Sequence, residues 1–199
     1  MNDSDYMKVA LELAEKGCGF TSPNPMVGAV IVKNGRIIGQ GWHEKYGEAH
    51  AERKALETCT ENPKGATMYV TLEPCCHYGK QPPCVNAIIE SGIERVVTGS
   101  SDPNPLVSGK GIQILREHGI AVTEHILQED CNQLNEVFFH YIHTKRPFVD
   151  EIRYDNGRKN RSTYGIIKMG DRRNGTQPCG TGTQQIYCNH GRRRNCISR

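Results

Sequence analysis

The sequence predicts an α/β fold, a three-layer sandwich with a mixed β-sheet flanked by helices. Three observations predict it. The pair Asn34-Gly35 joins two apolar runs, a strong hairpin signal that makes the first two strands antiparallel. Strand-like runs then alternate with amphipathic helical stretches, the pattern of strand–helix–strand crossovers that builds parallel pairs. Apolar periodicity stops near Val149, so the folded part of this 199-residue chain is expected to end there. A domain of that size buries a sizeable core without disulfide staples.

In chain order, Tyr6 to Lys16 sets Met7, Val9, Ala10, Leu11, Leu13 and Ala14 mostly on one helical face, and Gly17 and Gly19 stop the helix. Met26 to Val32 is a near-continuous apolar run, read as a buried strand and turned into Arg36 to Gly41. Helices are expected over Glu48–Cys59, Val85–Ser91 and Gly111–His118, and strands over Thr67–Leu72, Arg95–Gly99 and Ala121–His125. A last helix, Asp130 to His143, carries a stripe of Leu134, Val137, Phe138, Tyr141 and Ile142.

Composition removes several classes. No run of 18 or more apolar residues exists, so no membrane span or membrane partner is expected. The acidic start Met1-Asn2-Asp3-Ser4-Asp5 is not that of a signal peptide. Nine Cys, an odd number, point to a reducing compartment, the cytoplasm, and to metal or catalytic use of some thiols. Residues 150–199 hold 11 Lys+Arg against 4 Asp+Glu, while the body is mildly acidic. A basic tail of that kind is one form of nucleic-acid arm.

The chemistry concentrates in two segments, His50-Ala51-Glu52 and Glu73-Pro74-Cys75-Cys76-His77, the second continuing to Cys84. One His and two Cys suit a borderline-soft Zn²⁺, and three protein ligands leave a fourth position for water. A carboxylate two residues after the His would lie beside the metal without binding it, placed to move a proton. A closed structural site would have four protein ligands, so the pattern favours catalysis. Of the adjacent thiols, Cys76 is read as the buried filler. His77 stands as an alternative to Cys84 as third ligand, or as a surface or substrate-facing residue.

His50-Ala51-Glu52 followed by Pro74-Cys75 and Cys84 resembles the zinc-dependent nucleobase deaminases, with their cytidine-deaminase-like fold. Those enzymes usually space their two Cys by two residues; here eight intervene. That spacer, with Ser22 to Val30, Lys45 to Glu52 and Asp102 to Val107, resembles the deaminase half of the bacterial bifunctional riboflavin-biosynthesis deaminase/reductase family over residues 1 to 149. The resemblance implies one zinc per chain, held by His50, Cys75 and Cys84, with Glu52 as the catalytic proton shuttle. It implies a small phosphorylated pyrimidine, 2,5-diamino-6-ribosylamino-4(3H)-pyrimidinone 5′-phosphate, deaminated to the uracil with release of ammonia. Pro74 is expected to open a helix carrying Cys75. Lys80, on the spacer, is the candidate for the substrate phosphate, with a solvated loop lysine as its other reading. Asn24 between two prolines is placed to read a ring edge. Asp102 and Asn104 are candidates for ribose hydroxyls or, alternatively, turn formers. His43 and His77 are further candidate substrate contacts, whereas His118, His125, His140 and His143 are read as ordinary residues. Assembly into a homo-oligomer is compatible with the resemblance.

The family continues into an NADPH-dependent reductase whose opening resembles Met-Lys-Tyr-Ala-Met-Thr-Met-Asp-Gly-Lys-Ile-Ala and then Thr-Gly-x-Ser-Lys-Trp-Ile-Thr. Neither string is present. Codons for Asp150 to Arg153, read one base later, permit Met-Lys-Tyr-Ala, and those for Asn156 to Asn160 permit Met-Asp-Gly-Lys-Ile. Lys168-Met169-Gly170 forces Lys or Arg followed by Trp in that frame, at the family's spacing. The expectation is a zinc-dependent deaminase domain over 1–149 and an unstructured basic tail over 150–199, a frameshifted remnant of a reductase. NADPH binding, reductase activity and a specific nucleic-acid partner are then not expected.

Overall fold

The computed structural model describes residues 1–79, 81–104 and 108–146, and the backbone of 149–150 and 165–166. Its hairpin forms as the Asn-Gly pair requires. Asn34 (φ 50°) and Gly35 (φ 74°) both take left-handed backbone, the geometry that matches the twist of the flanking strands. They connect β1 (Gly28–Lys33) to β2 (Arg36–Trp42). β3 (Thr67–Leu72) pairs with β1 antiparallel, while β4 (Arg95–Ser100) and β5 (Ala121–Thr123) extend the sheet in parallel. The strand order is β2-β1-β3-β4-β5, a mixed sheet.

Alternation along the strands makes two cores. Ala29, Ile31, Met68, Val70 and Val96 pack with Ala51 and Ala55 of α2 (Ala51–Glu57), Val85 and Ile88 of α3 (Cys84–Ser91), and Leu115 of α4 (Lys110–Glu117). Val30, Val32, Tyr69 and Val97 face the other way. There they meet Tyr6, Met7, Ala10 and Leu11 of α1 (Asp3–Glu15) and Cys131 and Leu134 of α5 (Gln128–Leu134). The result is the expected three layers.

Helix α1 begins before Tyr6 because Asn2 caps it. The Asn2 Oδ1 accepts from the Asp5 N–H at 2.9 Å, and the Asp5 carboxylate accepts from the Asn2 N–H at 2.9 Å. Helix α2 lies directly on β2. A Cβ at Gly41 would come within 2.6 Å of the Ala51 carbonyl oxygen, so only glycine lets the helix approach this closely.

The expected helix Asp130–His143 is two helices, α5 and α6 (Glu136–Thr144), broken at Asn135. The Asn135 side chain leaves the helical pattern to bond Met26 on the other side of that core. In consequence only Leu134 of the predicted stripe is buried, and no residue of α6 is. Short strands β6 (Val149–Asp150) and β7 (Gly165–Ile166) pair with each other, apart from the main sheet. The rest of the expected tail lies outside the described residues. Among the described residues no helix is long and apolar enough to cross a membrane.

Candidate active site and metal centre

Helices α2 and α3 begin side by side at the carboxyl end of β3, the usual position of a ligand site in an open α/β sheet. His50 is the residue that caps α2, in extended backbone (φ −73°, ψ 163°). Glu52 follows in the first helical turn and is 3% exposed. Cys75 lies in the loop after β3, and fully buried Cys84 is the first residue of α3. Pro74 therefore opens no helix. Instead Pro83 precedes α3, and the Cys84 N–H donates to the Cys75 Sγ at 3.3 Å, so Cys75 meets a helix N-terminus from outside.

The His50 Nδ1 lies 3.5 Å from the Cys75 Sγ and 3.3 Å from the Cys84 Sγ, and the three donor atoms fall within 4.8 Å of one another. Nitrogen and sulfur bound tetrahedrally to zinc at about 2.0 and 2.3 Å stand about 3.5 Å apart. Spacing and donor chemistry both fit that ion. In the protein without metal, the Cys84 thiol donating to Cys75 holds the Cys75 thiol down to about 4, helped by His50. Cys84 is raised well above its ordinary value by the same contact and by burial. Cys75 raises His50. Burial, then the charge on Cys75, pushes Glu52 up to about 7, and its carboxyl contacts the Cys84 thiol. Cys76 is half-buried and packs against the apolar core around α3.

Asn24 and His43 come together beside this cluster. His43 is 3% exposed and stands edge-on to the His50 ring, with centroids 5.4 Å apart. Its Nδ1 is 3.2 Å from the Ala49 carbonyl, which only accepts, so the proton sits on Nδ1. The Nε2 then accepts from the Asn24 amide at 3.1 Å. Burial lowers the His43 pKa, favouring this neutral form. Both ring nitrogens are thus engaged, and His43 orients Asn24.

Asp102 follows β4, and its Oδ1 accepts from the Asn104 N–H at 2.8 Å, a turn of the kind Asp favours. Burial raises the Asp102 pKa, while His77 is exposed. Lys80 lies outside the described residues.

Two residues escaped the sequence reading. Glu73, in the motif but without a role there, is 3% exposed and binds the loop after β4. Its Oε2 accepts from the N–H groups of Asp102 (3.3 Å) and Gly109 (3.0 Å), its Oε1 from that of Gly111 (3.0 Å). A carboxylate directly following an apolar strand was the available signal. Asn135 had none.

Residues 1–100 match the cytidine and deoxycytidylate deaminase zinc-binding region, and the chain belongs to that family. It is 58% identical over 149 residues to the riboflavin biosynthesis protein RibD of Actinobacillus pleuropneumoniae, covering 75% of this chain and 40% of that protein. A diaminohydroxyphosphoribosylamino-pyrimidine deaminase of Buchnera aphidicola subsp. Acyrthosiphon pisum is 53% identical over 147 residues, which is 74% of this chain and 100% of that protein. A diaminohydroxyphosphoribosylaminopyrimidine deaminase/5-amino-6-(5-phosphoribosylamino)uracil reductase from Thermotoga maritima has a similar structure. Its TM-score is 0.71 at 54% identity, covering 73% of this chain and 42% of that one. The chain thus spans about two fifths of the RibD protein and of the deaminase/reductase, and the whole length of the Buchnera deaminase.

Proposed function

We propose that the chain is a zinc-dependent hydrolytic deaminase that converts 2,5-diamino-6-ribosylamino-4(3H)-pyrimidinone 5′-phosphate to the corresponding uracil and ammonia. The observation that carries this reading is the convergence of His50, Cys75 and Cys84 on one point with the buried Glu52 carboxyl beside them. Full coverage of a deaminase-only relative supports the substrate. Zinc, when bound, is the Lewis acid that makes a water nucleophilic near neutral pH.

The residues then divide the work. Glu52 takes a proton from the attacking water and gives it to the ring nitrogen. It next takes the proton of the new C2 hydroxyl and delivers it to the exocyclic amine, so the C2–N bond breaks, ammonia leaves and C2 keeps the oxygen as a carbonyl. Burial suits Glu52 to this, because removal from water raises a carboxyl toward neutrality and lets it both accept and give a proton. Asn24, held by His43, reads the ring edge, Asp102 and Asn104 bind ribose hydroxyls, His77 is a further substrate contact and Lys80 is the counter-charge to the phosphate. Residues 1–149 form the deaminase domain and 150–199 a tail that contributes nothing to the reaction. The thiol ligands need a reducing compartment, which supports a cytoplasmic home.

Ammonia release from this pyrimidinone, from cytidine and from a tRNA anticodon stem, with zinc measured on the same sample, tests the reading. Turnover of the first alone is expected. Turnover of either alternative substrate in its place would overturn the assignment.

A further inference from the structure

We propose that Asn135 is a positioning residue that sets the placement of Asn24 at the mouth of the site. It lies outside the residues matched by the family and 109 positions from the backbone it holds. The Asn135 Oδ1 accepts from the Met26 N–H at 2.8 Å, and its Nδ2 donates to the Met26 carbonyl at 2.8 Å. This is the reciprocal pair of bonds that a residue on a neighbouring antiparallel strand would make. At 4% exposure the amide has little access to water, so the two bonds are what makes its burial tolerable.

Met26 is two residues from Asn24 and two before β1. The Asn24 N–H donates to the Thr21 carbonyl at 2.8 Å, and Pro25 has no N–H to give. The Val27 carbonyl accepts from the His43 N–H at 2.9 Å, and the Gly28 N–H donates to the Thr71 hydroxyl at 3.2 Å. Met26 is the residue in this stretch whose two backbone groups both go to one distant side chain. Asn24 is therefore held on three sides, its amide by His43, its own N–H by the Thr21 carbonyl, and the chain that follows it, through Met26, by Asn135. The same requirement accounts for the break between α5 and α6, since Asn135 is the residue at which they part.

The functional consequence rests on the proposed contact of Asn24 with substrate, and the experiment separates the two. Asn135→Leu keeps the size and removes both bonds. Asn135→Asp, which keeps the acceptor for the Met26 N–H, replaces it if the leucine variant does not fold. Each is combined with Asn24→Ala. The readouts are kcat/KM for ammonia release from the pyrimidinone ribosyl phosphate, zinc content, and the His43 ring-nitrogen resonances, which report the bond from Asn24.

The Asn135 variant is expected to lose about tenfold in kcat/KM with zinc retained, as misplacement of a binding group does. In the Asn24→Ala background the same change should cost less than about twofold, because the two residues act as one unit. The His43 Nε2 resonance should move toward its position in Asn24→Ala. Losses that simply multiply, with an unmoved His43 resonance, would overturn the proposal. Full activity in Asn24→Ala would overturn instead the reading of Asn24 as a substrate contact, and the His43 resonance would still decide whether Asn135 places it.

Discussion

His50 and Cys84 sit at the starts of their helices, whereas Asn24 and Asp102 lie in loops that side chains far along the chain also hold. His50 is the cap of α2, Cys84 opens α3, and the Cys84 N–H reaches back to the Cys75 sulfur. Asn24 is steadied through Met26 by Asn135, and the Asp102 backbone by Glu73. Two short helices that begin at one point, each packed on the sheet, supply the metal seat from their first residues. The rim needs tertiary structure first, because its loops have no regular hydrogen bonding of their own.

The sharpest way to break this contrast is to remove a ligand. Cys75→Ser or Cys84→Ser is expected to lose both zinc and activity, since a hydroxyl is a far poorer ligand for zinc than a thiolate. Cys76→Ser should retain both. Metal analysis beside the ammonia assay checks it, and full zinc loading in Cys84→Ser would transfer its role to His77. Next in size is Glu52→Gln, expected to hold zinc while turnover falls by about two to four orders of magnitude. A near-normal rate would mean that another group carries the proton.

The same contrast explains what was legible in the sequence. The hairpin and the crossovers rest on local rules of turn chemistry and periodicity and could be read directly; the His and Cys ligand types could be too, but the choice of Cys84 over His77 came from the family resemblance. The α5–α6 break could not, because apolar periodicity runs through Asn135 and nothing near it reveals Met26 as its partner. Cys75 was misplaced on a helix because Pro74 looks like a helix start; the residue that does precede a helix is Pro83. His43 showed its residue type but not that both ring nitrogens are engaged.

A milder test acts on the rim alone. Glu73→Gln replaces one accepting oxygen by an NH₂ group that must face a backbone N–H. It is expected to loosen the loop carrying Asp102 and to cost about 1–3 kcal/mol of stability. KM should rise with kcat less affected, and zinc should remain bound. Steady-state kinetics, thermal unfolding and zinc content on one preparation measure all three. Loss of zinc in this variant would show that the rim and the metal seat are one mechanical unit.

The smallest effect is expected at the opposite end of the parallel strands. Arg95, at the start of β4, donates to both carboxylate oxygens of Asp3, at 3.0 and 2.6 Å, and to the Thr123 hydroxyl at 3.0 Å. The Tyr69 hydroxyl donates to Asp3 as well, at 2.9 Å. This cluster ties the start of α1 to β3, β4 and β5, away from His50, Cys75 and Cys84. The Arg95 hydrogen bonds hold the Asp3 carboxyl below its usual value. A depressed carboxyl contributes stability that is full above the unfolded value of about 3.9 and is lost as pH falls through the folded one. With both side chains about one-third exposed, solvent screening limits the contribution to about 1 kcal/mol or less. Asp3→Asn should therefore unfold slightly more easily at neutral pH, with the difference from the parent shrinking as pH falls below about 3.9 and through the lower folded value. Zinc content and kcat/KM should not change. Denaturant unfolding across that range is the measurement, and a loss of activity here would show that this end of the sheet is coupled to the site.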